Sequence, residues 1–278
     1  MAFEKSGLKI PSIRSGWNLD VWQFLPTAAP KPFPIIVMAH GFGADKTMGL
    51  AYYAEAFAAA GYACLVFDYR RWGASDGTPR HVLVVNDQLE DYRTVIKYAR
   101  QQPGFDAQRL VLWGSSFSGG HTITLSAEAA VNAIAAMAQC PYTGMSPSLP
   151  RDTTYLKLAG SAPGTVGALM TEGIKPGMLA ICSKDNEYRN QVSASSLLQV
   201  RPYQPRAKAA AITCPLLIVL PTEDNLCLPE GAVQISKATD KCELVSLPCR
   251  HFDLYFGASH HAESLAAQLA FLTKHVPV

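Results

Sequence analysis

The run Leu110-Val-Leu-Trp-Gly-Ser-Ser116-Phe-Ser-Gly-Gly120 decides the fold. An apolar, β-type stretch runs into a turn of small residues with Ser116 at its apex, and a helix-like segment follows. Such a turn holds a serine hydroxyl exposed above the end of a strand, the layout of a nucleophile elbow. Backbone crowds the serine on both sides, so the positions two before and two or three after must be small. Gly114, Ser118 and Gly119 meet that need, although Ser118 stands where the strict pattern has its second glycine. Two neighbouring serines compete for the apex. Ser115 has bulky Trp113 two residues before it, and Ser118 lies too far past the strand.

Outward from this turn the chain alternates between β-type and helix-type segments. Ile35-Ile-Val-Met38, Tyr62 to Phe67 and Pro215-Leu-Leu-Ile-Val-Leu220 are short and fully apolar, as strands buried on both faces are. Trp17 to Leu25 alternates like a half-exposed antiparallel strand, and Val131 to Ala138 and Glu243 to Leu247 read as two further strands. Between them the pattern predicts helices over about Met48 to Ala60, around Leu89, Tyr92, Val95, Ile96 and Ala99, near Glu230 to Ala238, and at the C-terminal end around Leu265, Leu269 and Leu272. Strands alternating with helices imply a mostly parallel sheet flanked by helices. From Pro141 to Ala210 the rhythm stops. That stretch carries no convincing strand and is too long for an ordinary loop. The expected organisation is an α/β core of residues 1–140 and 211–278 with an inserted, mostly helical cap of residues 141–210.

Three further segments support a chemistry. A serine hydroxyl is a weak nucleophile until a neighbouring base takes its proton. His251 follows the last predicted strand and so shares the carboxyl edge of the sheet with Ser116. Asp224, just past the preceding strand, is placed to accept a hydrogen bond from that imidazole. Glu223 is its immediate rival and Asp253 a weaker one. His40-Gly-Phe-Gly43 follows the strand ending at Met38. There the backbone N–H of Phe42, with that of Phe117 after the serine, forms a candidate oxyanion hole.

These residues in the order Ser116, Asp224, His251 resemble the α/β-hydrolases over essentially the full chain. The stretch Asp68-Tyr-Arg-Arg-Trp-Gly-Ala-Ser-Asp-Gly77 is similar to the loop after the fourth strand in many members. Together with the ending His251-Phe-Asp-Leu-Tyr-Phe-Gly257, the elbow resembles a subgroup of small hydrolases. That subgroup includes the fungal polyketide transferases of the fumagillin type and related esterases. The resemblance implies a serine hydrolase or acyltransferase that cleaves an ester or a polyketide-type thioester through an acyl-enzyme. It implies a small acyl substrate as partner, with an acyl carrier protein or polyketide synthase as a possible donor. Arg250 stands where the residue before the histidine is often glycine. Two other readings stay open: a cyclase or C–C lyase using His251 as base without an acyl-enzyme, and a non-catalytic binding protein of the same fold.

The bulk numbers exclude other classes. With 278 residues, 49% hydrophobic and 17% charged, the chain suits one packed α/β domain with a small insertion. A net charge of +2 gives no footprint for nucleic acid or an anionic membrane. No segment reads as a membrane span or a secretory signal. Seven scattered cysteines without a Cys-x-x-Cys pair read as buried free thiols, and the expected location is cytoplasmic. No cofactor or metal is expected. Gly41-x-Gly43 lacks a third glycine, Lys46-Thr47 follows Asp45 where a P-loop needs glycine, and His260-His261 has no HExxH frame. His121 is expected to be packed, and Asp87 and Asp91 to sit on a polar helix face or helix start. Tyr155, Leu156, Leu158, Leu169, Met170 and Met178 are candidates to line an acyl site in the cap, or to be ordinary cap core.

Overall fold

A computed structural model of the chain describes residues 2–144, 157–159, 167–169, 173–182 and 189–278. Its centre is an eight-stranded sheet in the order β1-β2-β4-β3-β5-β6-β9-β10. The strands are β1 (Phe3–Pro11), β2 (Asn18–Pro26), β3 (Phe33–Ala39), β4 (Ala63–Phe67), β5 (Phe105–Ser115), β6 (Ala135–Gln139), β9 (Leu216–Pro221) and β10 (Cys242–Leu247). At one edge β1 pairs antiparallel with β2 and β2 antiparallel with β4, and the pairings from β4 through to β10 are parallel. This is the mostly parallel sheet that the alternation predicts and the architecture that the resemblance to the α/β-hydrolases implies.

The apolar runs form central strands because both faces of the sheet are covered. Along β3, Ile35, Val37 and Ala39 pack into one core, while Ile36 and Met38 pack into the other. β5 repeats the pattern, with Leu110 and Leu112 on the first side and Val111 and Trp113 on the second. Helices α2 (Val85–Arg100), α3 (Phe117–Ser126) and α6 (Pro229–Ala238) serve the first core. Helices α1 (Leu50–Ala59) and α7 (His261–His275) serve the second.

Between β6 and β9 the described residues hold a two-stranded pair, β7 (Lys157–Ala159) with β8 (Gly167–Leu169), then α4 (Ile174–Ile181), α5 (Leu197–Val200) and a 3₁₀ turn at Pro205–Ala211. The β7–β8 pair corrects the expectation of a strand-free stretch. Each partner has three residues, too few to show a period of two. β1 was not foreseen either: on this edge strand only Ile10 is buried, so no alternation marks it. Asp91 departs from the expected polar helix face. It is fully buried, holding the buried Arg70 guanidinium at 2.7 Å, and burial raises its carboxyl pKa to about 6 despite that cation. Asp87 does stand in the first turn of α2, paired with Arg71 at 2.8 Å. His121 is packed, its Nδ1 taking the Tyr203 hydroxyl at 2.8 Å and its Nε2 facing Gln88 at 2.9 Å. Burial pulls its pKa down to about 3, so it stays neutral.

Strand order reverses around β3, with β4 on one side and β5 on the other. Crevices open outside the carboxyl ends of strands at such a switch point. The loop after β3 and the elbow after β5 both lie there.

Candidate active site

Ser116 sits between β5 and α3 with φ 57° and ψ −119°, a left-handed conformation that a serine adopts only under constraint. Its amide donates to the Gln139 carbonyl at 2.9 Å, and its carbonyl accepts the Tyr142 N–H at 2.8 Å. The apex is thus pinned to the end of β6. The small residues are required by close approach. A Cβ on Gly114 would stand 2.2 Å from the Ser118 carbonyl oxygen, and one on Gly119 would stand 2.9 Å from the Pro141 Cα. Both obstacles are backbone, which cannot rotate away. Gly114→Ala is therefore expected to cost about 3 kcal/mol of stability, the upper end of overpacking penalties, seen as a lowered Tm. An unchanged Tm would mean that the turn has room for a methyl group at position 114.

The neighbouring serines are accounted for. Ser115 is buried, its Oγ 2.6 Å from the Tyr255 hydroxyl, and Ser118 is buried with its Oγ 2.9 Å from the Tyr69 hydroxyl. That hydrogen bond explains how a serine replaces the usual glycine at 118. Ser116 alone of the three is half-buried and borders a cavity.

His251 opens a 3₁₀ turn, His251–Leu254, after β10. Its Nδ1 lies 2.7 Å from Asp224 Oδ2, with both side chains buried. Asp224 Oδ1 accepts the backbone N–H groups of Leu226 and Cys227, each at 2.8 Å. The carboxylate is thus satisfied on both oxygens and fixes the Nδ1–H tautomer, which leaves the Nε2 lone pair available. Burial pulls the His251 pKa down, but the Asp224 carboxylate outweighs it and the pKa stands well above its ordinary 6.5. Both rivals of Asp224 are set aside by position. Glu223 is exposed, and Asp253 accepts the Arg250 N–H at 2.9 Å as a cap of its own turn. Arg250 is exposed, so that departure leaves the His251–Asp224 pair intact.

Phe42 lies on the loop after β3. Gly41 passes so near the elbow that a Cβ there would meet the Ser116 Cβ at 2.8 Å. Behind the loop, Lys46 is buried, with its ammonium between the carboxylates of Asp20 and Asp68, and its N–H donates to Asp68 Oδ1 at 2.7 Å. Burial lowers the His40 pKa, so its Nε2 accepts the Tyr69 N–H at 3.5 Å. Phe117 is the first residue of α3, and the first amides of a helix have no intrahelical acceptor. The rings of Phe42 and Phe117 meet edge to face at 5.8 Å.

Ser116, His251, Phe42 and Phe117 border one cavity of about 400 Å³. Its walls are mostly apolar, with Met48, Leu169, Met178, Ile181 and Val200 among them. Leu169 and Met178 are thus where the sequence placed lining residues. Tyr155, Leu156, Met170 and the side chain of Leu158 lie outside the described residues. Sequence reasoning missed two cysteines. Cys227 borders the cavity with its Sγ 4.0 Å from Ser116 Oγ, and Cys140 Sγ stands 3.8 Å from His251 Nε2. Only the position of Cys227, three residues after Asp224 on one loop, hinted at this. Among the described residues no helix is long and apolar enough to cross a membrane, and all seven cysteines are free thiols.

The chain is similar to several known proteins. The family model described as serine aminopeptidase, S33 matches residues 30–261. The quorum-quenching protein AidA of Acinetobacter baumannii is 35% identical over 271 residues, covering 88% of each chain. The polyketide transferase grgF of a Penicillium species is 27% identical over 288 residues, covering 94% of each. The crystal structure of the α/β-hydrolase GrgF superposes with a TM-score of 0.84 at 24% identity, covering 99% of this chain and 100% of that one.

Proposed function

The chain belongs to the serine aminopeptidase S33 family of α/β-hydrolases, and on that premise we propose that it cleaves an ester or thioester of an apolar acyl group through Ser116, His251 and Asp224. On this reading residues 1–140 and 211–278 are the core, and the described residues between them that border the cavity, Tyr142, Leu169, Met178, Ile181, Leu197 and Val200, belong to a cap. The observation that carries this reading is the buried His251–Asp224 pair whose His251 lines, with Ser116, one apolar cavity.

The chemistry follows from the tautomer. Asp224 holds Nδ1–H, so Nε2 receives the Ser116 proton as Oγ attacks the acyl carbonyl. The Phe42 and Phe117 N–H groups then bind the oxyanion, each worth on the order of 3 kcal/mol of transition-state stabilisation. The positive end of α3 adds to this field. Collapse expels the alcohol or thiol, which takes the proton back from His251. Water or an acceptor alcohol then attacks the acyl-enzyme with His251 again as base, and Ser116 is regenerated.

The AidA relative is named for quorum quenching and the grgF relative for polyketide transfer. A substrate panel therefore includes quorum-signal molecules beside acyl thioesters, the latter presented free and on an acyl carrier protein. Turnover of a thioester to free acid under saturating alcohol would identify a hydrolase. Formation of the ester would identify a transferase, and no turnover of any ester, thioester or lactone would overturn the reading. The pH profile tests the base separately. With the His251 pKa held above 6.5 by Asp224, its neutral, active form is lost as pH falls through that raised value. The acid limb of kcat/KM is therefore expected to have its midpoint above 6.5. A limb centred below 6.5 would contradict the assignment of His251.

A further inference from the structure

The acyl-enzyme chemistry gives Lys46 no task, yet its placement is costly. The residue is 2% exposed, and a buried ammonium is unfavourable unless it is paired. Its Nζ lies 2.5 Å from Asp20 Oδ1 on β2 and 2.5 Å from Asp68 Oδ2 just past β4. It also stands 5.1 Å from the centre of the Trp22 ring. Burial works against the charge, but the Asp68 and Asp20 carboxylates outweigh it and the ammonium stays protonated. A buried ion pair is often no more stabilising than apolar side chains of the same volume. Stability alone does not account for this one.

What the pairing fixes is backbone. Residues 40–49, between β3 and α1, have no regular structure, and Phe42 sits there between two anchors. Before it, the Gly41 carbonyl accepts His40 Nδ1–H at 3.0 Å and the Ala44 N–H at 3.4 Å. A carbonyl only accepts, so Nδ1 carries the proton of the neutral ring, and Nε2 is left to accept the Tyr69 N–H at 3.5 Å. After it, the Lys46 N–H donates to Asp68 Oδ1 at 2.7 Å, while Asp68 Oδ2 accepts the Ala74 N–H at 2.9 Å. Asp68 Oδ1 also stands 3.8 Å from His40 Nε2. One carboxylate therefore touches both anchors, and the Lys46 ammonium balances its charge.

We propose that Lys46 is a positioning residue of the oxyanion hole: by holding Asp68 it keeps the Gly41–Phe42 peptide turned so that the Phe42 N–H faces the reacting carbonyl. This inference rests on the Ser116 acyl-enzyme reading above. The Gly41–Phe42 peptide is trans and planar, so its N–H points opposite to its carbonyl. Buried His40 holds that carbonyl, which turns the N–H the other way, to the side where Phe42 and Ser116 border the cavity. Without the ammonium, an uncompensated carboxylate would face the imidazole and draw a proton onto Nε2. Nε2–H would then turn to Asp68 and expel the Tyr69 amide, and the Gly41 carbonyl would shift with the ring. Losing an oxyanion donor outright costs on the order of 100- to 1000-fold in kcat, and misaiming it costs part of that.

Two ligands with the same alkyl chain separate this role from a merely structural one. An alkyl trifluoromethyl ketone forms an oxyanion on the enzyme. Ser116 Oγ bonds to its carbonyl carbon, the carbonyl π pair moves to oxygen, and His251 Nε2 takes the serine proton. The matching trifluoromethyl alcohol fills the cavity with no carbonyl to attack. Only the ketone reads the Phe42 N–H as an oxyanion donor.

The test measures the dissociation constants of both ligands on the full chain, wild type and Lys46→Met. In the variant the ketone's constant should rise at least about tenfold while that of the alcohol changes by less than about twofold. On any substrate turned over, kcat should fall in step with KM kept. Ile235→Ala, a truncation of a fully buried side chain on α6, should lower Tm yet leave the ratio of the two constants unchanged. If Lys46→Met loses the wild-type far-UV circular dichroism, Lys46→Gln, which is also uncharged, takes its place. Equal changes for both ligands, or no change for either, would overturn the inference and leave the Ser116 reading standing. A wild type that binds the alcohol but forms no adduct with the ketone would overturn both.

Discussion

Ser116→Ala is expected to lower kcat on any ester or thioester that the chain turns over by about six orders of magnitude, with KM little changed. The side chain is small, and its Oγ lies 4.0 Å from Cys227 Sγ. Removing it leaves the left-handed apex in place, because that conformation is held by the Gln139 carbonyl and the Tyr142 N–H rather than by the hydroxyl. The cavity and its binding of the acyl group therefore persist while the covalent route is closed. The residual rate over water would come from the Phe42 and Phe117 amides and from binding alone. Substrate turnover at better than about one per cent of the wild-type rate, a far smaller loss than this, would point to a mechanism without an acyl-enzyme.

Asp224→Asn is expected to lower kcat by about four orders of magnitude while the fold is kept. The asparagine carbonyl can still accept the Leu226 and Cys227 amides that Oδ1 now holds. Its NH₂ group then faces His251 Nδ1 where Oδ2 stood. An NH₂ donor there turns Nδ1 into an acceptor and moves the ring proton to Nε2, the atom that must receive the Ser116 proton. The same change removes the charge that raises the His251 pKa, so the acid limb of the residual activity should move to lower pH. A variant with near wild-type kcat and an unmoved limb would show that Asp224 is only a turn residue. Glu223→Gln, at an exposed position, should change neither quantity.

The central strands were legible because burial on both faces makes them uniformly apolar. The elbow was legible because three crowded backbone positions admit only small side chains. That Ser116, Asp224 and His251 stand along one edge of the sheet could be read for a related reason: each follows a recognisable strand, and strand ends in a parallel sheet share one edge. Convergence in space across loops was not legible. Cys140 belongs to the turn after β6 and Cys227 to the loop after β9, and nothing local in either segment reports that both reach His251. The Lys46–Asp68–Asp20 network behind the oxyanion loop was hidden in the same way. Asp91 looked like a solvated helix residue because its cation, Arg70, is 21 positions away in sequence. β1 and the β7–β8 pair carry too few buried residues to show a period.

The most direct measurement is the site of covalent labelling by a fluorophosphonate, mapped by peptide mass spectrometry on the wild type, Ser116→Ala and His251→Ala. The account predicts one adduct, on the Ser116 peptide, absent from Ser116→Ala and strongly slowed in His251→Ala. An adduct on another residue, or equal labelling of wild type and Ser116→Ala, would contradict it.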